Sequence, residues 1–216
     1  SIGSGKLSEA LLAGLPLRED VVSAYRSASH DWQKARVEAK RQLGFDTTKP
    51  LIFIFGGSQG SVALNQVISE SRSALLAEGV QILHGIGARN AVPSEMDGYQ
   101  ARGYITDMAT AYLGADLIIS RSGAVTCAEV NTLGRFALFI PLPIGNGEQE
   151  LNARDLVSQS RAEILPQKEF TSTWLTSNIK RLLTQSSTAP IAGSDIDINA
   201  ASKMVSLMEH ALHGGR

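Results

Sequence analysis

The chain has 216 residues, of which 43% are hydrophobic, so it is long enough to bury a substantial core as one domain with appendages. Its 20 Lys and Arg residues nearly balance 21 Asp and Glu residues, and the net charge of -1 excludes the basic surface of a nucleic-acid-binding protein. The single cysteine excludes an internal disulfide and fits a reducing compartment, and no apolar run approaches the roughly 20 residues of a membrane-spanning helix. A cytoplasmic location is therefore expected.

The chain opens without a methionine, and SIGSGKLSEALLAGLPLRED at 1–20 has no clear packing partner of its own. We interpret residues 1–28 as an interdomain or linker segment left from a longer protein. The next stretch, HDWQKARVEAKRQL at 30–43, predicts a surface helix because its aliphatic residues recur at helical spacing and Gly44 follows.

Short apolar runs, typical of buried strands in a parallel sheet, then alternate with helix-like segments. The strands are predicted at 51–55, 80–84, 116–119 and 137–140. The helices between and after them are predicted at 61–77, 107–114, 124–133 and 149–158. This alternation predicts an α/β fold with a doubly wound parallel sheet, in which ligands bind beyond the carboxyl ends of the strands.

The remaining sequence predicts an amphipathic helix after Thr171, then a polar, flexible stretch and a last helix. In terms of organisation, we expect a main domain over 29–186, a connector over 187–197 and a C-terminal helix over 198–216.

The first loop that can carry chemistry is GGSQG at 56–60, between the strand LIFIF and a helix. Glycines in this setting let backbone N–H groups approach an anion at the positive end of a helix dipole. A tight turn without any ligand is an equally good reading. Neither this loop nor GIGARN at 85–90 supplies G-x-G-x-x-G, which disfavours an NAD-binding domain.

The second loop, SRSGAVTCAE, also follows an apolar strand. Ser122, Gly123 and Ala124 leave room for a ligand at a helix start, and Thr126 adds a hydroxyl. Glu129 lies about one turn further, where its carboxylate can accept hydrogen bonds from a ribose diol. The alternative is an N-capped helix whose glutamate complements the dipole. Two such loops in one sheet favour a diphosphate site.

The third loop, PLPIGNGEQELNA, places Gln149 and Asn152 three residues apart on one helix face. Neutral amides offer a donor and an acceptor together, which suits sugar hydroxyls. A merely polar helix start is the alternative.

Other features are interpreted as unrelated to ligand binding. GSGK at 3–6 lacks the phosphate-loop spacing and a preceding strand. Asp195 and Asp197 are interpreted as helix-capping residues, and His84 as a structural residue at a strand end. No histidine has a metal-spaced partner or a triad arrangement, so neither a cofactor nor a metal is predicted.

Together, GGSQG, YITDMATAYLGADLIISRSGAVTCAE and LFIPLP followed by EQELNA resemble the C-terminal half of MurG. MurG is the bacterial glycosyltransferase family that adds N-acetylglucosamine (GlcNAc) to undecaprenyl-pyrophosphoryl-muramoyl-pentapeptide. The resemblance runs from about Gly14 to the final helix and rests on the combination of motifs. It implies the Rossmann-like C-terminal half of a GT-B glycosyltransferase, which binds UDP-GlcNAc or UDP.

The resemblance also implies that part of the reaction machinery lies outside this chain. The lipid-linked acceptor, the general base and the peripheral contact with the cytoplasmic face of the membrane would belong to an N-terminal domain outside this chain. No catalytic residue is expected here, and the chain alone is predicted to have little or no transferase activity. The alternatives are a stand-alone donor-binding subunit of a two-chain GlcNAc transferase, a UDP-GlcNAc 2-epimerase-like protein and a dehydrogenase domain.

Carried over by position, the resemblance implies a UDP-GlcNAc site made of Arg18, Gly57, Ser58, Gln59, Gly60, Ile105, Ser122, Gly123, Ala124, Val125, Thr126, Glu129, Gln149 and Asn152. In this site, Ser58 would help to hold the diphosphate, with Gln59 and Gly60 beside it, and residues 124–126 would contact the diphosphate. Arg18 would lie near the nucleotide. Ile105 would line the uracil pocket, Glu129 would bind the ribose, and residues 149 and 152 would bind GlcNAc. Two residues depart from the family pattern: Glu148 replaces a usual His or Gln, and Phe136 replaces a usual Pro.

Overall fold

A parallel sheet forms the centre of the computed structural model, which describes residues 11, 13–143 and 146–213. The GSGK stretch therefore lies outside the described residues. The six strands are β1 Leu51–Phe55, β2 Gln81–Gly85, β3 Tyr99–Arg102, β4 Leu117–Ser120, β5 Ala137–Phe139 and β6 Ala162–Ile164, in the spatial order β3-β2-β1-β4-β5-β6. This is the order of a Rossmann-like sheet, and it reverses between β1 and β4, where such sheets bind ligands. The predicted doubly wound fold is confirmed.

Helices cover both faces of this sheet. They are α1 Glu19–Ala28, α2 Trp32–Gln42, α3 Val62–Ala77, α4 Met108–Gly114, α5 Ala124–Thr132, α6 Glu148–Ser158, α7 Ser172–Thr188 and α8 Ala200–His213. Because side chains alternate along a strand, Leu51, Phe53 and Phe55 of β1 pack into one core, while Ile52 and Ile54 pack into the other. None of the helices in the described part of the chain is both long and apolar enough to cross a membrane.

The four predicted strands agree with the structure to within one residue at each end. The sequence-based prediction did not include β3 and β6, which form the two edges of the sheet. Edge strands are less enclosed than central ones, and YQAR and AEI accordingly contain no continuous apolar run.

The helix α1 was also missed, because it lies in the segment interpreted as a linker. Its sequence EDVVSAYRSA begins with two acidic residues and buries Val21, Val22 and Ala28 against the body of the domain. The amphipathic pattern with acidic residues in the first turn was the available signal.

The stretch predicted to be flexible makes specific contacts. α7 continues to Thr188, and the hydroxyl of Ser186 donates a hydrogen bond to the carbonyl of Asp116. Further on, the N–H of Ser194 donates to the carbonyl of Asn131 at 3.1 Å. Asp197 does not cap α8 as predicted: its Oδ1 accepts a hydrogen bond from the N–H of Leu15 at 2.7 Å, which fastens the segment before α1.

Candidate functional site

The GGSQG and SRSG loops leave the same edge of the sheet side by side. β1 and β4 pair in parallel with Phe55 opposite Ser120, so the loops that follow these residues are neighbours. They border a cavity of about 410 Å³ at the point where the strand order reverses. Its lining includes the predicted residues Arg18, Gly57, Ser58, Ile105, Val125, Thr126 and Glu129.

A second cavity of about 490 Å³ adjoins the first and shares Phe55, Gly57 and Thr126 with it. It adds the predicted residues Gly60, Gly123 and Gln149. The combined cleft therefore brings together residues from all three loops that the sequence singled out, over a length that suits an extended ligand.

Four of the predicted site residues do not line either cavity of the cleft. Ala124 and Asn152 line a separate cavity of about 260 Å³. Ser122 is fully buried, and Gln59 is exposed and lines neither part of the cleft. Any contact of these residues with a ligand would have to involve backbone groups or a side-chain movement.

The start of α5 has the character of an anion site. Its N-cap is Gly123, and no side chain among the described residues caps its first turn. The N–H groups of the first turn therefore lack the partner that Ser, Thr or Asp supplies at other helices. This argues against the alternative of a side-chain-capped helix and leaves donors at the positive end of the helix dipole.

Glu129 is held at the base of the first cavity by two partners. Its Oε1 accepts a hydrogen bond from Nε of Arg18 at 2.8 Å, and its Oε2 accepts one from the hydroxyl of Tyr112 at 2.9 Å. The residue is only 3% exposed. Each carboxylate oxygen has two lone pairs, so each keeps one for a further donor such as a ribose hydroxyl.

The hydrogen bonds to Glu129 and the burial of the site shift the pKa values of both of its partners. Burial opposes the charge of Arg18, but the hydrogen bond and the charge of Glu129 outweigh it and raise the pKa of the guanidinium. Burial, and then the charge of Glu129, raises the pKa of the Tyr112 hydroxyl well above its ordinary value. Tyr112 therefore remains a hydrogen-bond donor to the carboxylate.

Tyr112 and Tyr104 are site residues that the sequence reasoning missed. Tyr112 packs edge-on against the rings of Phe53 and Phe55, which fixes its hydroxyl beneath Glu129. A tyrosine on an otherwise apolar helix face was the available signal, because a buried hydroxyl needs a partner. Tyr104 is 60% exposed at the wall of the first cavity, beside Ile105.

The shape of GGSQG is set by GIGARN, the loop after β2. Gly60 has φ +78°, and a Cβ atom there would lie 2.0 Å from the carbonyl oxygen of Ile86. A Cβ atom on Gly87 would lie 2.2 Å from the nitrogen of Gly60. Nδ2 of Asn90 donates to the carbonyls of Gln59 and Ile86 at 3.1 and 2.8 Å. GIGARN, excluded as a dinucleotide motif, thus acts as the support of the first loop.

His84 extends this support below the loop. It is buried, with Nδ1 3.0 Å from the hydroxyl of Tyr99 and Nε2 3.0 Å from Oδ1 of Asn65. Nδ2 of Asn65 in turn donates to the carbonyl of Ile86 at 2.9 Å. This network favours the structural interpretation of His84 over a role in binding.

We expect His84 to make the folded state sensitive to acid. Burial, and then the charge of Arg72, lowers its pKa to about 4, against about 6.5 for an exposed histidine. Between these values the unfolded chain binds a proton that the folded chain excludes, so stability falls as pH decreases from 6.5 to 4, by about 3 kcal/mol.

The measurement is urea unfolding of the wild type and of His84→Gln at several pH values. In His84→Gln, the free energy of unfolding should change much less between pH 6.5 and 4 than in the wild type. His30→Gln, which removes an exposed histidine, should keep the wild-type dependence on pH. Equal slopes in the wild type and His84→Gln would contradict the assignment.

The third loop is fastened to the cleft by its amides. Oε1 of Gln149 accepts a hydrogen bond from the N–H of Leu142 at 3.0 Å, and Nδ2 of Asn152 donates to the carbonyl of Ser122 at 3.1 Å. Of the two departures from the family pattern, Glu148 is exposed and Phe136 is a buried core residue. In the described ranges, no group of His, Cys, Asp and Glu side chains is arranged to hold a metal ion.

Residues 51–210 match the family described as "Glycosyltransferase family 28 C-terminal domain". Curated relatives carry the name UDP-N-acetylglucosamine–N-acetylmuramyl-(pentapeptide) pyrophosphoryl-undecaprenol N-acetylglucosamine transferase. The protein from Corynebacterium efficiens is 36% identical over 80% of this chain and 46% of its own length, and that from Corynebacterium glutamicum (strain R) is 40% identical over 78% and 45%. The chain thus spans about half the length of the curated relatives it matches.

Among solved structures, the crystal structure of Acinetobacter baumannii MurG is 28% identical to this chain, with a TM-score of 0.62. The match covers 88% of this chain and 54% of the MurG chain. The resemblance stated from the three loop motifs is therefore confirmed, and so is the Rossmann-like C-terminal half of a GT-B glycosyltransferase. The chain belongs to the glycosyltransferase family 28 C-terminal domain family.

Proposed function

We propose that this chain is the donor-binding half of the inverting glycosyltransferase that transfers GlcNAc from UDP-GlcNAc to undecaprenyl-pyrophosphoryl-muramoyl-pentapeptide. The observation that carries the proposal is the cleft at the strand-order reversal, in which a buried carboxylate lies next to a helix start that no side chain of the described residues caps. The names of the relatives, which state this reaction, support it.

In the proposed complex, each part of the donor would occupy a different part of the cleft. The uracil would lie beside Ile105 in the first cavity, and Glu129 would accept hydrogen bonds from the ribose hydroxyls. The diphosphate would lie between residues 57–60 and the first turn of α5, and the GlcNAc ring would extend toward Gln149 in the second cavity. Asn152 would reach the sugar only after releasing the carbonyl of Ser122.

The proposed chemistry is a displacement at the anomeric carbon. The 4-hydroxyl of the muramoyl acceptor attacks this carbon, the bond to the diphosphate oxygen breaks, and its electron pair leaves with UDP. Fixed N–H dipoles at the start of α5 and in GGSQG would stabilise the charge that develops on the leaving diphosphate. The acceptor proton would pass to a base in the half of the relatives' length that this chain does not span.

The acceptor site and any peripheral contact with the cytoplasmic face of the membrane are proposed to lie in that other half. The chain alone is therefore proposed to bind UDP and UDP-GlcNAc without appreciable transfer.

The test is calorimetric titration of the 216-residue chain with UDP, UDP-GlcNAc, UDP-GalNAc and NAD. We expect UDP and UDP-GlcNAc to bind, UDP-GalNAc to bind more weakly than UDP-GlcNAc, and NAD not to bind. Binding of NAD without UDP would contradict the proposal. Conversion of UDP-GlcNAc without an acceptor would also contradict it, in favour of a 2-epimerase-like protein.

A further inference from the structure

The guanidinium of Arg121, directly after β4, connects the elements that surround the second cavity. Its side chain spans four acceptors on three other segments of the chain. Nη1 donates to the carbonyls of Ile140 and Pro141 at 2.9 and 3.2 Å, and Nη2 donates to Oγ of Ser61 at 2.9 Å and to Oε1 of Gln167.

Three of these acceptors lie next to the loops of the cleft. Ser61 directly follows GGSQG and is the N-cap of α3. Its Oγ accepts a hydrogen bond from the N–H of Leu64. Ile140 and Pro141 begin the loop that leads to Gln149. One side chain thus fixes the second loop of the cleft to the end of the first and to the start of the third.

No carboxylate of the described residues neutralises the charge of Arg121. No ion pair in the described part of the chain includes it, and all four of its acceptors are uncharged. The residue lines the second cavity together with Gly57, Gly60 and Thr126. A guanidinium stays protonated in proteins, so the cavity wall carries a full positive charge where the proposed function places the diphosphate.

We propose that Arg121 is a positioning residue with a second, electrostatic role. Its planar fork holds the three loops together, and its unpaired charge makes the cleft select nucleoside diphosphates over uncharged nucleosides. This inference rests on the proposed function, which puts the diphosphate between residues 57–60 and the first turn of α5, where Gly57, Gly60 and Thr126 form part of the wall that they share with Arg121. The hydrogen bonds of the fork go to the protein, so the charge acts on the ligand across the cavity.

The two roles can be separated by substitution. Arg121→Lys keeps the charge but replaces the fork by a single ammonium group, whereas Arg121→Met removes both. Arg161→Met is the matched control, because Arg161 also donates to backbone carbonyls, those of Pro190 and Ala192 at 3.3 and 2.8 Å, and lines neither part of the cleft.

The experiment measures the Kd of UDP and of uridine by calorimetry, and the melting temperature of each variant. Arg121→Met should raise the Kd of UDP roughly tenfold more than that of uridine, the order expected for one charge facing an anion in a partly screened cleft. Arg121→Lys should keep most of the wild-type ratio of the two Kd values but melt at a lower temperature. Arg161→Met should keep the wild-type ratio.

Parallel losses of UDP and uridine affinity in Arg121→Met, or loss of the ratio in Arg121→Lys, would overturn the electrostatic role. An unchanged melting temperature in Arg121→Lys would overturn the clamping role. If Arg121→Met does not fold, the ratio in Arg121→Lys decides. A wild type that prefers UDP to uridine, with the same preference kept in Arg121→Met, would overturn this assignment alone. A wild type that binds neither ligand would overturn the proposed function and this assignment with it.

Discussion

Replacing Gly60 with alanine is expected to abolish UDP binding and to destabilise the fold by about 2 to 5 kcal/mol. Two effects add at this position. A residue with a side chain is strained at φ +78°, and its Cβ atom would lie 2.0 Å from the carbonyl oxygen of Ile86. That oxygen is held by Asn65 and Asn90 at 2.9 and 2.8 Å, so it cannot move away without breaking the support of the loop.

The control for Gly60→Ala is Gly79→Ala. Gly79 also has φ +78°, but apart from its neighbours in the chain, no atom of the described residues lies within 4 Å of a Cβ atom placed there. Gly79→Ala should lose only the stability that the backbone strain costs, about 1 to 2 kcal/mol, and should bind UDP as the wild type does. The measurements are urea unfolding and calorimetric titration with UDP. Equal stability and equal UDP affinity in the two variants would show that the contact between the two loops is unimportant.

Glu129→Ala is expected to weaken UDP binding on the order of 100-fold, because it removes charge-assisted hydrogen bonds to the ribose. It should also lower the stability by about 1 to 3 kcal/mol, since the buried hydroxyl of Tyr112 loses its acceptor. The control is Glu163→Ala. Glu163 forms an ion pair with Arg181 at 2.6 Å on the surface, and its loss should leave UDP binding unchanged.

A modified ligand separates the loss of ribose contacts from damage to the fold. UDP lacking both ribose hydroxyls should bind the wild type about as weakly as UDP binds Glu129→Ala. It should lose little further affinity when tested on that variant. If the modified ligand binds the wild type as tightly as UDP, Glu129 does not contact the ribose.

The central part of the sheet could be predicted from the sequence because it is enclosed on both faces. β1 and β4 are continuous apolar runs, and the loops that follow them could be located to within a residue or two. β3 and β6 at the edges carry polar residues because one side of each strand has no neighbouring strand, and the apolar-run criterion cannot detect them.

The residues of the cleft could be predicted better than their supports. Glu129 stands out in its motif, whereas Arg18 and the Tyr112 hydroxyl become its partners only through the fold, the former across 111 positions of sequence. The roles of Gly87 and Asn90 likewise depend on the packing of GIGARN against GGSQG, which only the fold brings about. The prediction for Asp197 was wrong for the same reason, because its partner is the N–H of Leu15.

The most direct test of the proposed nucleotide-sugar cleft is a titration of the isotopically labelled chain with UDP, followed by amide chemical shifts in NMR. We expect saturable shifts at residues 57–60, at Ile105 and at residues 124–126, all around one cleft. Residues 95–100, which line a different cavity at the opposite end of the strands, should not shift. No shift on addition of UDP, or shifts confined to residues outside the cleft, would contradict a nucleotide-sugar site between the loops after β1 and β4.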